Sequence, residues 1–381
     1  MLKQLAVLTG TMVLFFATIV GATKPAPLMY VANEGDHNVM VVNLHTEEVI
    51  AQIPTGNAPH AIVFADSKAY VNNRGSDFLT VIDTETLKVD KEIPLQATSF
   101  QLALSPDGKT IAVSYKNALM VSLVDVVSDT VSTLELGEEP SGGFPEKPMK
   151  HPYWSKDGKY LYVQNNIDDI LIKIDIDTFT IAAEICMPGS NHDLVPSANG
   201  KILYAVNQNT ATGTSLTIID AGYNSIIKDI EIPLLPGEEG FGHHGDLTQN
   251  GKTFYFCNEG GYSVTLVDTA TLEVRKSIEV GYGAGHPVFS QDNSKVFVIP
   301  HKDNILSVID SQSEEVIEDI EAGVGNKIAH SSYISNDGKY LYVVNVYDQD
   351  IVKIDTKTLE VISTIAIGQK ALAFAVTTSQ Q

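Results

Sequence analysis

A Tyr-Val-x-Asn segment, a loop, a Val-x-Val-Ile-Asp segment, a turn and another apolar segment recur along this chain, and that recurrence limits the fold more than anything else. The first element stands at Tyr30, Tyr70, Tyr162, Tyr204, Tyr255 and Tyr342, with degenerate copies at Ile111–Tyr115 and Val296–Pro300. The later anchor falls at Asn43, Asp83, Asp125, Asp175, Asp220, Asp268, Asp310 and Asp355, at spacings of 40, 42, 50, 45, 48, 42 and 45. Tight-turn triplets such as Asp107-Gly108-Lys109, Asp157-Gly158-Lys159 and Asn250-Gly251-Lys252 precede the Tyr-Val-x-Asn segments. Asp-Gly and Asn-Gly supply the positive φ angles of a hairpin. Each unit therefore reads as four short antiparallel strands, enriched in Val, Ile, Tyr and Thr. At this period such units are propeller blades.

The expectation is an all-β, eight-bladed β-propeller, or a seven-bladed one if the degenerate copy at 96–136 is absorbed differently. The first copy begins at its second strand, and an orphan strand, Ala371–Thr377, ends the chain. The orphan should become the inner strand of the first blade, because closing the ring removes exposed sheet edges.

Residues 1–22 stand outside the repeat. Lys3 precedes an apolar run from Leu5 to Val20 without an acidic residue, and small residues follow. This is a signal-peptide pattern, too short for a comfortable membrane span. It predicts a periplasmic or secreted domain at 23–381 with no membrane span after cleavage. Two cysteines, Cys186 and Cys257, are too few for a disulfide framework and are expected as buried free thiols. The net charge of −22 argues against a nucleic-acid partner, because phosphate binding rests on clustered Lys and Arg.

These phrases resemble the YVTN-type β-propeller repeats of exported bacterial and archaeal proteins, over residues 29–377. More distantly they are similar to the haem-binding propellers of nitrite reductases and to the propeller of nitrous oxide reductase. The latter also gathers histidines, including an adjacent pair, at its hub. This chain differs from it in blade number, in where the pair falls and in lacking a cysteine-rich electron-transfer domain.

The histidines are the chemical signal. His60, His151, His192, His243, His244, His286 and His330 lie in blade-to-blade connections, where the next inner strand begins. His60, His151, His192, His244, His286 and His330 each precede a hairpin Asp or Asn by six or seven residues. They should converge near the central axis as a nitrogen-rich set suited to copper, zinc or iron, including haem iron. The unit at 96–136 has Phe100-Gln101 there instead, and the C-terminal strand has Lys370. His37 and His301 fall in the other loop type of the same face and are expected farther from the axis. Asp193 and Asp246 could orient imidazoles, or cap local amides. Arg74 could pair a ligand carboxylate, or form a salt bridge. The long loops Glu138–Lys150 and Leu234–Gly242 are candidate lids over this face or solvated insertions.

No G-x-S-x-G, P-loop, H-E-x-x-H or C-x-x-C-H motif occurs, so no catalytic residue is assigned. The readings are a propeller that binds a metal ion, metallocofactor or other small ligand in its hub, a metal-free interaction scaffold for a periplasmic protein partner, or an oxidoreductase that uses the hub as a copper or haem site.

Overall fold

The computed structural model describes residues 26–137, 149–323 and 329–377, of which Ala329, His330 and Leu372 only in their backbones. The 1–22 segment and most of the 138–150 loop lie outside the described residues. The chain forms eight four-stranded antiparallel sheets, an eight-bladed propeller. Seven sheets are built from consecutive strands. The eighth takes Ala371–Val376 as its inner strand beside Leu28–Asn33, Asn38–Asn43 and Glu48–Pro54. We number that composite sheet blade I. Blades II to VIII follow at 59–94, 99–135, 149–186, 190–231, 242–279, 284–321 and 329–366. The degenerate copy at 96–136 is a full blade, with strands Ser99–Leu104, Thr110–Tyr115, Met120–Asp125 and Val131–Glu135, which settles the number at eight. No helix among the described residues is long and apolar enough to cross a membrane.

The repeated residues have repeated jobs. The anchor Asp accepts backbone N–H groups from the turn that follows it. Asp83 Oδ1 takes Thr86 N at 2.8 Å, and Asp268 and Asp355 take the equivalent amides. In the hairpins, Ser105 Oγ donates to Asp107 and accepts the Thr110 amide; Ser155 and Ser335 do the same in their own blades. The Asn of Tyr-Val-x-Asn is buried and holds the next loop, as Asn345 Nδ2 does with Asp350 at 2.9 Å. Apolar residues of the central strands pack between neighbouring blades. Tyr30, Val41, Ile62 and Val71 fill one gap, and Tyr204, Leu216, Phe254 and Phe256 another. Burial of side chains of this size contributes about 1.5–3 kcal/mol each, so each blade depends on its neighbours.

The ends meet at the seam between blades VIII and I. Met29, Val31, Tyr342, Val344, Ile351 and Ala371 form one buried cluster there. Leu28 and Thr377 exchange backbone and side-chain hydrogen bonds, Gln369 N donates to Asp36, and the Lys353 ammonium reaches Glu47 at 2.6 Å. Cys257 is buried, whereas Cys186 is exposed on an outer strand, contrary to expectation; both are free thiols.

Candidate metal centre in the propeller hub

Every inner strand breaks register with its neighbour near its start. In blade V, Asn191 pairs Asn207 and Asp193 pairs Val206, so His192 is extra. The same irregularity brackets Phe100, His330 and Leu372. In blade VI it spans Gly242 to Gly245 and leaves His243 and His244 opposite Cys257 alone. Such a β-bulge suspends the strict alternation of side chains. That is how two adjacent imidazoles come within 4.4 Å of each other, centroid to centroid, instead of facing opposite sides. Both flanking glycines are needed: a Cβ on Gly242 would meet Phe256 and Thr214, and one on Gly245 would meet Phe254 and the Tyr255 carbonyl.

The bulge places two residues per blade at the hub. His60, Phe100, His192 and His243 occupy its first position. His151, His244 and His286 occupy the second, together with Asp193. A further ring of residues follows directly on the second strand in most blades and includes Glu34, Arg74, Glu259 and His301; in blade V the longer strand Ile202–Thr210 carries Gln208 at the matching place. Sequence reasoning missed Glu259 and placed His301 away from the axis. His301 is instead buried, with its ring 4.5 Å from that of His243 and 4.9 Å from that of His286. The available signal was its position immediately after the strand, which it shares with Glu34 and Arg74. His37 is farther along its loop and accepts the Ala58 amide.

The hub has two unlike sides. On one, His151, His192, His243, His244, His286 and His301 form a continuous cluster. His244 and His286 stack at 4.0 Å, His192 lies 4.1 Å from His243, and His151 lies 5.7 and 6.0 Å from His192 and His244. On the other, Glu34 is buried against His60 Nδ1 at 2.9 Å, Lys370 Nζ at 3.0 Å and Arg74 Nη1 at 3.7 Å. Burial pulls the Glu34 carboxyl upward, but His60, Lys370 and Arg74 outweigh it and hold it at about 2. Arg74 also covers the Phe100 ring at 4.1 Å and donates from Nε to the Phe100 carbonyl. Arg74 and His60 are thus engaged with protein groups. The side chain of His330 lies outside the described residues.

Within the cluster, acceptors fix the imidazole protons. The His243 carbonyl can only accept, so His192 Nδ1, 2.8 Å away, carries the hydrogen. His244 Nδ1 lies 3.1 Å from Asp193 Oδ2. Burial pushes the Asp193 carboxyl up, yet His244, the Tyr153 hydroxyl and the Gly245 amide bring it below its ordinary value, so it stays a carboxylate. His243 Nε2 lies 3.3 Å from Glu259, and its Nδ1 is buried without a hydrogen-bond partner among the described residues. The lone pairs left to these three rings are therefore Nε2 of His192 and His244 and Nδ1 of His243. Carboxylates or carbonyls behind imidazoles are the usual support of a metal site. Asp246, by contrast, is exposed and accepts the Leu247 amide at 2.7 Å.

Burial is the main reason His151, His192 and His243 hold no extra proton. It lowers His151 to about 3, with His244 adding to the effect and Asp193 opposing it. Burial likewise drives His192 and His243 well below the ordinary imidazole value. Neutral imidazoles are the ligand form. One nitrogen from each of His192, His243 and His244 lies within 4.8 Å of the others, and the same holds for His243, His286 and His301. The loop 234–242 is stapled down: Glu238 accepts the Leu235 and Tyr262 amides and the Ser263 hydroxyl, and Tyr262 donates to the Pro236 carbonyl.

Gly285 makes room for His301, because a Cβ there would overlap the His301 ring. Gly285→Ala should cost about 1–3 kcal/mol, the usual cost of overpacking. A metal-free melting temperature equal to that of the parent would show that the ring has space to spare.

The Cytochrome D1 heme domain family matches residues 248–375, about a third of the chain. A curated relative, the seven-bladed beta-propeller protein Rv1057 of Mycobacterium tuberculosis, is 26% identical over 93% of this chain and 84% of its own length. Its name gives seven blades where this chain has eight. Among solved structures, dihydro-heme d1 dehydrogenase NirN in complex with DHE aligns at a TM-score of 0.75 with 18% identity, covering 91% of this chain and 74% of that one. Apo AztD from Citrobacter koseri aligns at 0.66 with 13% identity, covering 92% and 98%. These likenesses place the chain among β-propellers.

Proposed function

We propose that this protein binds a transition-metal ion in its hub through His192, His243 and His244. The observation that carries the reading is the way the rings face: each turns one nitrogen toward an acceptor and leaves the other for a ligand. Three imidazole nitrogens suit zinc or copper, and copper(II) should bind more tightly. The repeat and the amino-terminal apolar run favour an exported protein, so we place this site in the periplasm or outside the cell. A metal-free scaffold would not need six imidazoles in one continuous cluster.

The protein stripped by chelation should take up zinc and hold it through gel filtration. His192→Ala with His244→Ala should lower the zinc bound per chain by one ion and weaken uptake at this triplet at least about a hundredfold, since losing a group that merely supports a ligand already costs about 10–100-fold. The parent's zinc stoichiometry and affinity, both unchanged in the double variant, would refute the assignment.

A haem-binding reading is favoured by the family match and by NirN. The rings do not suit a macrocycle among them, because His244 and His286 already stack at 4.0 Å and the others touch in turn. Haem would have to lie over the cluster, with one imidazole as its axial ligand. Added haem should therefore leave the Soret spectrum of free haem unchanged, and the spectrum of imidazole-ligated haem would favour this reading instead.

A further inference from the structure

Among the described residues, five hub imidazoles fall into two groups of three that share one ring, not into one group of five. Metal–imidazole bonds of about 2.0–2.1 Å confine the ligands of one ion to nitrogens no more than about 4.2 Å apart. A single ion can draw in one triplet, but not both. The groups share His243, which has two nitrogens in different settings. Nδ1 is buried without a hydrogen-bond partner among the described residues, and Nε2 lies 3.3 Å from Glu259. The other Glu259 oxygen lies 4.0 Å from His301 Nδ1, so this carboxylate sits on the side of the second triplet. Asp193 stands behind the first triplet through His244.

We infer that the hub is a two-ion centre bridged by His243, with one ion on His192, His244 and one His243 nitrogen, and the second on His286, His301 and the other. This rests on the metal-binding reading above and adds the second ion and the bridge. Bridging uses both His243 nitrogens, so the second ion must displace the Nε2 proton. That N–H bond breaks, Glu259 accepts the proton and passes it to solvent, and the imidazolate joins the two ions. No electron is transferred. Glu259, freed of its contact with His243, stands beside the second ion as an oxygen donor. The occupants are two divalent borderline ions such as zinc or copper, since the set is imidazole with one carboxylate.

The test uses the full-length exported protein, stripped of metal and titrated with zinc or with copper(II). Zinc should saturate at two ions per chain by elemental analysis. Calorimetry in buffers of different ionisation heat should show one additional proton released with the second ion. His301→Ala should bind one zinc, His192→Ala one, and the double variant none. Copper-loaded parent should show magnetically coupled spins, whereas His301→Ala should show the signal of isolated copper(II). If His301→Ala fails to fold, as judged by melting of its metal-free form, His286→Asn takes its place with the same expected stoichiometry. One zinc in the parent, unchanged in the His301 or His286 variant, would overturn the two-ion centre while leaving single-ion binding intact. Two ions with uncoupled copper spins and no additional proton would overturn the bridge. No zinc in the parent would instead overturn the metal-binding reading itself.

Discussion

Deleting Ala371–Gln381 should lower the melting temperature by roughly 10 °C or more, if the ring survives at all. The deletion removes the inner strand of blade I, which pairs with Leu28–Asn33 through five residue pairs. It also removes Ala371 from the buried seam and the Thr377 bonds to Leu28. Net hydrogen bonds of about 1 kcal/mol each, plus the apolar area re-exposed, put the loss on the order of 5 kcal/mol or more. That is a large part of the 5–15 kcal/mol by which domains are ordinarily stable, roughly. The unpaired edge of Leu28–Asn33 should also make the truncated protein associate. Thermal denaturation and light scattering read both effects. Melting within a degree or so of the intact chain would mean that the seam contributes nothing to stability.

The metal-free protein should lose stability steeply between pH 6.5 and 5. In the unfolded chain His151, His192 and His243 titrate near 6.5, but folding lowers His151 to about 3 and the other two well below 6.5. Within that window the unfolded state binds protons that the folded state refuses, so stability rises with pH and falls on acidification. Each ring contributes a slope of up to about 1.4 kcal/mol per pH unit, or about 4 for the three together. Above pH 7 the effect vanishes, because the rings are neutral in both states. Glu34 acts in the same direction at lower pH. Its folded value of about 2 stabilises the protein above 4.5, and that contribution fades toward pH 2. Urea unfolding of chelated protein at pH 7, 6 and 5 measures the slope, and His→Gln changes at the three positions should flatten it. Equal stability at pH 7 and 5 would show that the rings are charged or solvated in the fold.

The blade count, the seam and the hub histidines were legible because repeated turns and anchors need particular residues at particular places. Asp83 and its equivalents must cap a turn, and Gly108 and its equivalents must take a positive φ. Except at His60, which lies at the first bulge position yet precedes Asp66 by six because its hairpin is one residue shorter, the two bulge positions were written in the spacings as well. His192 precedes its hairpin residue by seven and lies at the first bulge position, whereas His151, His244 and His286 precede theirs by six and lie at the second. The bulge that gives this difference its meaning comes from backbone pairing, which spacing alone does not reveal. His301 and Glu259 were misplaced or missed because a residue just after a strand reads as loop, and only the closed ring turns that point toward the axis. His60 was legible as a hub residue and Arg74 only as a residue of the same face, and neither as a partner of Glu34, because that contact joins the first two blades at the hub.

The extra residue in each inner strand separates two kinds of demand on the sequence. Residues in the ladder must alternate and fill the gaps between blades, so a change there disturbs packing. The bulged residue belongs to no pair, and the same backbone accepts His, Phe or Leu at that address in different blades. Chemistry at the axis can therefore diverge from blade to blade while the architecture copies itself unchanged. By the same logic, a donor set could be transplanted to another propeller by editing only these addresses and the glycines that flank them.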